Sequence, residues 1–414
     1  MGFAKDQWLK EQARGWKSND KFVCDKCVED SFLKNIILNN LSSNQCDYCS
    51  RIGNGKDIAA PFDDVMEVIA EAFYQYYANP TAAGVPRDDG EWVDEERFVY
   101  TGDALSDLPL ECDQNFFDDV VNAFDNVMWI PCAHGSWLTL HPHEELLLSW
   151  NSFVETVTHQ SRFFFIRKKK KKESRWEQNY SPWELLKKIE AFLNNLGLVK
   201  VLDKGTLFYR VRMVGFDSIP DPVLYETVGP PPQELASAGR MNPAGISYFY
   251  LALEKETALA EIIKRPPCDL LIATFKNEVD LYVLDLTELP NFPSVFDEEK
   301  YSLYQVLLFM DKFSNEIAKP VIKDGREHVE YVPSQIVSEF ISQEFKTTSN
   351  GIISGIIYPS AVHTGGKNIV LFPLGRSKET YFKKWESFLP LQKAVEKIRF
   401  NNWEDLTRVL SPLI

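Results

Sequence analysis

The chain lacks three features that would place it in a membrane, a secretory pathway or a disulfide scaffold. Its 414 residues contain no apolar run of about 18 residues, so a membrane-spanning helix is not expected. The opening residues, MGFAKDQWLKEQ, have no apolar signal core. Seven cysteines are too few for a disulfide framework in a chain of this length. We therefore expect a cytosolic protein of two or three domains.

Basic side chains are scarce between residues 61 and 150. That block contains 19 acidic residues and two bases, Arg87 and Arg97, so its net charge is −17. The whole chain carries −15, which leaves +2 for the remainder. An acidic surface repels phosphate groups, so we do not expect this block to bind nucleic acid. It either keeps the surface soluble or forms a docking face for a basic partner, and the sequence leaves both open.

Four of the cysteines stand in two knuckles, CDKC and CDYC, separated by 18 residues. They are Cys24, Cys27, Cys46 and Cys49. Two such knuckles can close a tetrahedral site around zinc. All four ligands would be thiolates, which leaves no open position for water, so we predict a structural site. The alternative, two pairs of free or redox-active thiols, remains open.

Ahead of residue 165 the apolar pattern is mostly helical. Residues 62–77 place Ile69 and Phe73 at helical spacing, which predicts an amphipathic helix. Similar patterns predict helices from Phe116 and from His143. The first 165 residues are therefore interpreted as a small zinc module followed by a mostly helical, acidic domain.

We expect structural roles, not ligand binding, for the histidines and the lysine run of this region. His134, His141, His143 and His159 do not share one helical face with a carboxylate at ligand spacing, so we expect polar or capping roles. The run RKKKKK, residues 167–172, is typical of a solvated linker. Binding to nucleic acid or to acidic lipid is the alternative for this run.

A capped helix marks the start of the second half. In SPWELLKKIEAFLNNLG, Ser181 is the predicted N-cap, Pro182 the first helical residue, and Glu184 completes a capping box. Gly197 is the predicted stop. We place a domain boundary near residue 175.

Beyond this helix, strand-like and helix-like runs alternate, which indicates an α+β fold. The strand-like runs are TLFYRVRMV, SYFYLAL, LLIATF and LYVLDL, and TALAEII and KYSLYQVLLFMDKF are helix-like. The stretch GIISGIIYPSAVHTGGKNIVLF predicts two strands joined by a Gly-Gly loop. No glycine-rich phosphate loop joins a strand to a helix, so the dinucleotide-binding and P-loop fingerprints are excluded.

Several of these runs, in this order, resemble the RES-domain family, which is named after an arginine, a glutamate and a serine. They are YRVR, GRMN with SYFYLA and TALAE, YVPSQ, and IIYPS with GGKNIVLF. The resemblance covers roughly Gly205 to Phe372, about two fifths of the chain. The cysteine module also resembles a small domain often attached in front of RES domains. The resemblance implies a fold similar to that of ADP-ribosyltransferases and an activity that consumes NAD.

The family's site residues can be carried onto this sequence motif by motif. In chain order they are Arg210 in YR, Arg240 in GR, Tyr250 in FYLA, Glu261 in TALAE and Ser360 in YPS. Arg212 is a weaker candidate for the first arginine, because YRVR contains two. The family often has an aromatic residue after the second arginine, and this chain has Met241, which puts a stacking contact there in doubt.

These residue types suit the chemistry of NAD. Arginines bind a pyrophosphate through forked, charge-assisted hydrogen bonds, so Arg210 and Arg240 are the predicted clamp. A tyrosine ring can stack on nicotinamide. Breaking the glycosidic bond builds positive charge on the ribose, which Glu261 can stabilise. Ser360 can orient a phosphate or a ribose.

Taken singly, the same residues have ordinary explanations. Arg240 would brace a loop, Tyr250 would be a core aromatic, Glu261 a solvated helix residue and Ser360 a turn residue. Their joint order within the family framework is what favours a site.

We therefore predict an α+β protein whose C-terminal RES domain, similar in fold to ADP-ribosyltransferases, follows a four-cysteine zinc module and an acidic helical domain. The expected reaction is cleavage of the nicotinamide–ribose bond by hydrolysis or phosphorolysis, in a cytoplasmic toxin or defence effector restrained by its N-terminal domains or a regulatory partner. The alternatives are an ADP-ribosyltransferase acting on a protein or nucleic acid, and a non-enzymatic zinc-containing interaction protein. The acceptor, the trigger and the oligomeric state are left open.

The predicted division of the chain has five parts. They are a zinc module (1–58), an acidic mostly helical domain (59–172), a linker helix (173–200), the catalytic domain (201–380) and a helical tail (381–414).

Overall fold

The computed structural model describes residues 2–125, 127–165, 180–214, 225–262, 268–319, 325, 327–348, 351–373 and 390–400. The chain divides into two compact units, and each is described by itself. Unit 1 comprises residues 1–144 and 291–308, and unit 2 comprises residues 145–290 and 309–414. The lysine run at 167–172 lies outside the described residues. No helix in the described ranges combines the length and the apolar character needed to span a bilayer.

Unit 1 combines helices with strands of two to four residues, which pair in small two- and three-stranded sheets. The helices are α1 (Gly2–Arg14), α2 (Ser31–Asn39), α3 (Phe62–Tyr76), α4 (Thr101–Asp107), α5 (Gln114–Ala123) and α6 (Pro142–Glu155), the last of which runs on into unit 2. The strands are β1 (Phe22–Cys24), β2 (Ala59–Pro61), β3 (Tyr77–Ala78), β4 (Arg87–Asp88), β5 (Glu91–Trp92), β6 (Val99–Tyr100) and β7 (Met128–Pro131). Antiparallel pairs join β1 to β2, β4 to β5, and β7 to both β3 and β6.

Helix α3 forms the centre of the unit 1 core. Its apolar face is fully buried and includes Ile69 and Phe73, so the helix predicted over residues 62–77 is confirmed. The Phe73 ring lies 4.5 Å from the ring of Phe124 and 4.9 Å from that of Trp129. Aromatic contacts of this kind add to the free energy of burial. The helices predicted from Phe116 and His143 correspond to α5 and α6.

Unit 2 combines helices with one large sheet. Its helices are α7 (Pro182–Asn195), α8 (Tyr225–Val228), α9 (Lys255–Ile262), α10 (Tyr301–Ala318, which begins in unit 1), α11 (Glu327–Glu330) and α12 (Val332–Gln343). Its strands are β8 (Val199–Leu202), β9 (Leu207–Val214), β10 (Phe249–Ala252), β11 (Cys268–Lys276), β12 (Leu281–Asp285), β13 (Ile353–Pro359), β14 (Lys367–Leu371) and β15 (Pro390–Phe400). A short 3-10 turn lies at Gln233–Leu235 and a π-helical turn at Thr156–Gln160, whereas the 3-10 turns at Glu95–Arg97 and Glu298–Lys300 belong to unit 1.

Helix α7 begins and ends where its local sequence predicts. The Ser181 side chain accepts from the backbone of Glu184, and the Glu184 carboxylate accepts from the backbone of Ser181, which completes the capping box. Pro182 is the first helical residue. Gly197 has a φ of +66°, a left-handed conformation that glycine adopts without strain, and it follows the last turn.

The eight-stranded sheet of unit 2 has the order β15-β11-β9-β10-β14-β13-β12-β8. Neighbours are antiparallel except β12 and β13, which are parallel. One face buries a cluster that includes Phe208, Phe249 and Leu271. The other face buries Val211 and Ile272 together with the apolar side of α9. The α+β prediction is confirmed.

The C-terminal tail departs from the prediction. Residues 381–414 are predicted to be helical, but Pro390–Phe400 form strand β15, antiparallel to β11 from Cys268↔Phe400 to Phe275↔Pro390. The edge of β11 offers backbone hydrogen bonds along its length, and pairing with it stabilises the extended conformation of residues 390–400. The remaining residues of the predicted tail lie outside the described ranges. The other boundaries of the five-part division stay predictions.

Candidate functional site

A cleft opens in the unit 2 sheet between β9 and β10. Strand β9 pairs with β11 along its whole length. In the described part of the chain, one residue pair, Tyr209 with Ala252, joins β9 to β10. Because the two strands separate beyond that pair, a cavity of about 500 Å³ lies at the split. Ligand pockets commonly have volumes of this size.

Two arginines of β9 border the cleft. Arg210 and Arg212 alternate with Val211, so both side chains lie on one face of the strand, as the sequence predicts. The Arg210 guanidinium lies 5.3 Å from the ring centre of Phe249, and Arg212 donates to the carbonyl of Gly229 at 2.8 Å. Burial lowers the pKa of Arg212. Both residues therefore border the cleft from one face of the strand, where arginine side chains can contribute to anion binding.

Tyr250 of β10 also borders the cleft, and its hydroxyl group is tied to the preceding loop. The hydroxyl donates to Oδ1 of Asn242 at 2.7 Å and accepts from the backbone nitrogen of Met241 at 3.0 Å. Burial raises the pKa of Tyr250, so the phenol keeps its proton. The Met241 side chain, at the position where the family often has an aromatic residue, is fully buried. Only the ring of Tyr250 is left to contact a ligand.

The loop Gly239–Asn242 is held by both its own residues and helix α12. The Asn242 amide donates to the carbonyls of Ser237, Pro243 and Ile246. The Gln335 amide donates to the carbonyls of Gly239 at 2.8 Å and Asn242 at 3.0 Å. A Cβ on Gly239 would lie 2.6 Å from Asn242 Oδ1, so the close approach requires glycine.

Arg240 lies in this held loop, against the wall of the cleft. Its guanidinium donates to the carbonyl of Ala318 at 2.6 Å and lies 5.4 Å from the ring centre of Tyr358. Its backbone carbonyl accepts from the hydroxyl of Ser334. Tyr358 borders the cleft, and burial raises its pKa to about 12. The described residues that border the cleft do not include Arg240. Arg240 contacts Tyr358, which does border the cleft.

Glu261, on the last turn of α9, borders the cleft and accepts two hydrogen bonds on one oxygen. The hydroxyl of Ser360 donates to Oε1 at 2.8 Å, and the amide of Asn368 donates to the same atom at 2.6 Å. Ser360 follows β13 and Asn368 lies in β14, so one hairpin supplies both donors. Two residues that the sequence predicts together, Glu261 and Ser360, are therefore brought into contact.

The loop between β13 and β14 is fastened to the first turns of α9. Thr257 donates to the carboxylate of Glu254 at 2.8 Å, and its oxygen lies 2.8 Å from Nδ1 of His363. The same Glu254 carboxylate accepts from the backbone of Lys367 at 2.9 Å. A Cβ on Gly366 would lie 2.4 Å from the Thr257 oxygen. These contacts fix the hairpin relative to the helix that carries Glu261.

The four cysteines of unit 1 form a compact cluster. Their sulfur atoms all lie within 4.8 Å of one another, and neighbouring pairs are 3.6–3.8 Å apart. A tetrahedron with metal–sulfur bonds of about 2.3 Å has sulfur–sulfur edges of about 3.8 Å. Burial raises the pKa of Cys24 to about 11, and a cation bound beside it would favour its thiolate form. The donor set and its spacing fit one metal ion.

Two histidines of unit 1 have the polar and capping roles that the sequence predicts. The backbone nitrogen of His141 donates to the carboxylate of Glu144 at 2.8 Å at the start of α6. Its Nδ1 lies 2.7 Å from the hydroxyl of Tyr301. Nδ1 of His143 lies 2.6 Å from Oε1 of Gln305. Among the described residues, the one group with ligand atoms placed to hold a metal is the four-cysteine cluster.

Two stretches of the chain match known protein families. Residues 208–387 match the family model described as RES domain. The chain carries a RES domain. Residues 39–171, ahead of it, match the model described as HEPN/RES N-terminal domain 1. The two matches fit an NAD-related toxin or defence effector. Neither the curated proteins nor the solved structures contain a significant match to this chain.

The RES domain contains cleft and loop residues that the sequence analysis did not single out. Asn368 and Tyr358 border the cleft, and Gln335 holds the loop of Arg240. Their letters stand in motifs already quoted, GGKN, IIYPS and YVPSQ. A single asparagine, tyrosine or glutamine has no distinctive spacing, so the pattern of the sequence does not indicate these three residues. A polar residue inside an otherwise apolar strand, as in GGKNIVLF, was the available signal.

Proposed function

We propose that the RES domain cleaves the bond between nicotinamide and ribose in NAD. The single observation that carries this proposal is the position of Glu261. Its carboxylate is held by two hydrogen bonds at the border of a cleft that two arginines and a tyrosine also border. A fixed carboxylate beside cationic anion-binding groups suits a dinucleotide whose ribose becomes positively charged as the bond breaks.

In this proposal, the arginines of β9 bind the pyrophosphate. Arg210 and Arg212 lie on one face of the strand and border the cleft, and arginine forks match phosphate oxygens. Arg240 was also predicted to bind the pyrophosphate. Its contact with the Tyr358 ring favours a role behind the cleft wall, with one donor already used by Ala318.

Tyr250 and Glu261 act at the other end of the dinucleotide. The Tyr250 ring packs against nicotinamide, since its hydroxyl is used by Met241 and Asn242. Glu261 stabilises the positive charge that develops on the ribose and accepts a hydrogen bond from a ribose hydroxyl. Ser360 holds Glu261 and is available to a phosphate or ribose oxygen at the same edge of the cleft.

The reaction balances in the following way. The bond from ribose C1′ to the pyridinium nitrogen breaks, and its electron pair goes to that nitrogen, so nicotinamide leaves as a neutral molecule. The carbon left electron-poor then bonds to an oxygen of water, of inorganic phosphate or of a macromolecule, and a water or hydroxyl acceptor gives up its proton. The three acceptors correspond to hydrolysis, phosphorolysis and ADP-ribosyl transfer.

The four cysteines are proposed to hold a structural zinc ion. Four thiolate ligands would complete its tetrahedral coordination and leave no site for a reactive water. We further propose that the zinc module and the acidic domain restrain, localise or regulate the RES domain, because unrestrained loss of NAD is harmful to a cell. A regulatory protein partner or a trigger is part of this proposal.

The test is release of nicotinamide from NAD by the purified, zinc-loaded chain and by Glu261→Gln, with and without inorganic phosphate. We expect release by the wild type and a loss of about 100-fold or more in the variant. Stimulation by phosphate with formation of ADP-ribose 1-phosphate would identify phosphorolysis. Equal release by both proteins would overturn the assignment of Glu261.

The same assay separates transfer from the other two outcomes. NAD labelled in its adenosine part is incubated with the protein and a cell lysate. Label that becomes bound to protein or nucleic acid indicates transfer, whereas label in free ADP-ribose indicates hydrolysis. A folded protein that releases nicotinamide only with lysate requires the proposed trigger or a macromolecular acceptor, whereas no release in buffer, with phosphate or with lysate would favour the non-enzymatic interaction protein.

A further inference from the structure

The two oxygens of the Glu261 carboxylate have different surroundings. Both hydrogen bonds that the described residues give this side chain end on Oε1, from Ser360 at 2.8 Å and from Asn368 at 2.6 Å. Within the same residues, Oε2 accepts no hydrogen bond. Since Glu261 is exposed at the border of the cleft, Oε2 is the oxygen that can meet a ligand.

Asn368 lies in a more buried and more regular part of the structure than Ser360. It lies in the interior of the sheet, paired with Ala252 of β10 on one side and with Tyr358 of β13 on the other. Asn368 is 5% exposed, whereas Ser360 is half-buried at the start of a mostly exposed loop. A buried amide costs free energy unless it is hydrogen-bonded, and this amide uses Glu261.

Ser360 serves several partners at once. Its oxygen accepts from the backbone nitrogens of His363 at 3.1 Å and Val362 at 3.3 Å while its proton goes to Glu261. It therefore orders its own loop as well as the carboxylate. Asn368 gives its amide to Glu261 from a rigid strand, so its geometry sets the direction of the carboxylate.

We propose that Asn368 is a positioning residue that fixes Oε1 of Glu261 and thereby turns Oε2 toward the ribose of the substrate. The inference rests on the proposed function for the identity of the substrate. The contact itself does not depend on that function and can be tested apart from it. Asn368 would then contribute to the rate through Glu261, without itself touching the reacting atoms.

Asn368→Asp is the informative substitution. It keeps the size and shape of the side chain, but it replaces the NH₂ donor by an oxygen that repels the carboxylate. We expect kcat for nicotinamide release to fall by about 100-fold with little change in KM, because a carboxylate displaced by about an ångström loses that much. Asn277→Asp is the matched control, since Asn277 is equally buried in unit 2 and donates to the carbonyls of Leu202, Asp203 and Val279. This control should alter stability and leave kcat near the wild-type value.

A double-mutant cycle separates positioning from packing. Asn368→Ala should reduce kcat about 10-fold to 100-fold in the wild type and add little further loss to Glu261→Gln, because residues acting as a unit are not additive. Equal losses in both backgrounds would mean that Asn368 supports the fold, and the proposal would be wrong.

A measurement without turnover distinguishes the two proposals. In protein labelled with ¹⁵N-asparagine, the side-chain amide resonance missing from Asn368→Asp is assigned to Asn368. It should shift when Glu261→Ala removes the acceptor, while the Asn277 amide stays in place. If the resonance shifts in a chain that releases no nicotinamide, the contact between Asn368 and Glu261 is supported and the proposed reaction is wrong. No shift would overturn the positioning role, whatever the activity.

Discussion

The phenol oxygen of Tyr250 lies 2.7 Å from Oδ1 of Asn242, and the Asn242 amide in turn donates to three backbone carbonyls of its own loop. A strand residue at the border of the cleft therefore holds the loop that carries Arg240. The motifs FYLA and GRMN form one hydrogen-bonded unit, because the Tyr250 hydroxyl of the first donates to the Asn242 side chain of the second.

Tyr250→Phe tests this unit. The ring remains, but the Met241 nitrogen and Asn242 Oδ1 lose a buried partner, so the free energy of unfolding should fall by about 1–3 kcal/mol. The phenylalanine variant should keep most of its affinity for NAD, since the ring contact survives. Tyr250→Ala should lose affinity for NAD as well as stability. Urea unfolding and KM for NAD measure the two effects.

The control for this substitution is Tyr282→Phe. Tyr282 is 37% exposed on strand β12 and does not border the cleft among the described residues. Its unfolding free energy should stay within about 0.5 kcal/mol of the wild type. A Tyr250→Phe protein as stable as this control would show that the loop does not depend on the phenol.

Gly239→Ala should disrupt the same loop from its other end. The added Cβ would lie 2.6 Å from Asn242 Oδ1 and 2.8 Å from the Tyr250 hydroxyl, so both must move. We expect a loss of about 1–3 kcal/mol in stability, as for other overpacked positions, and a decrease in NAD turnover. Gly102→Ala is the matched control, because nothing lies within 4 Å of its added Cβ and alanine favours the helix. Equal thermal midpoints for the two variants would contradict the steric argument.

The parts of this structure that the sequence predicts are those that local chemistry determines. The capping box of Ser181 and Glu184 and the amphipathic face of α3 need only neighbouring residues. Each cysteine knuckle is also a local feature, because one tight turn brings its own two sulfur atoms together. Strand β15 could not be predicted this way, since its state depends on the distant edge of β11.

The cleft depends on contacts between distant parts of the chain. Glu261 lies 99 residues from Ser360 and 107 residues from Asn368, and no periodicity reports such a distance. The family resemblance supplied Glu261 and Ser360 as a pair, but it did not supply the second donor. It also placed Arg240 in the clamp, whereas Arg212, which the sequence treats as the weaker candidate, borders the cleft with Arg210. Which arginines bind substrate stays a prediction.

Metal removal tests the cysteine cluster. The purified chain should contain about one zinc ion, and extraction with a chelator at neutral pH should unfold the region around β1 and α2, because metal binding and folding are coupled in such sites. Cys27→Ser should abolish zinc binding. Cys112→Ser, a cysteine outside the cluster, should retain the ion. Elemental analysis and circular dichroism provide the readouts, and a metal-free chain with unchanged stability would contradict the structural role.

His141 should make the stability of the chain depend on pH. Its ring is buried, stacks on Tyr76 at 4.6 Å and contacts the Tyr301 hydroxyl, with His134, His143 and Glu144 as its charged or titratable neighbours. Burial lowers the pKa of His141 below its ordinary value of about 6.5. The unfolded chain therefore binds a proton that the folded chain resists, so stability should be full above about pH 7 and should fall as the pH decreases below about 6.5.

The slope expected from this one group is at most about 1.4 kcal/mol per pH unit, the value for one proton. His141→Gln loses the ring contact with Tyr76, so it should be less stable than the wild type at pH 7.5. Because glutamine cannot titrate, the variant should lose less stability between pH 7 and pH 5. His159→Gln, at an exposed histidine, is the control and should follow the wild type. Urea unfolding at several pH values measures all three proteins. Parallel curves for the wild type and His141→Gln would assign the acid sensitivity to other groups.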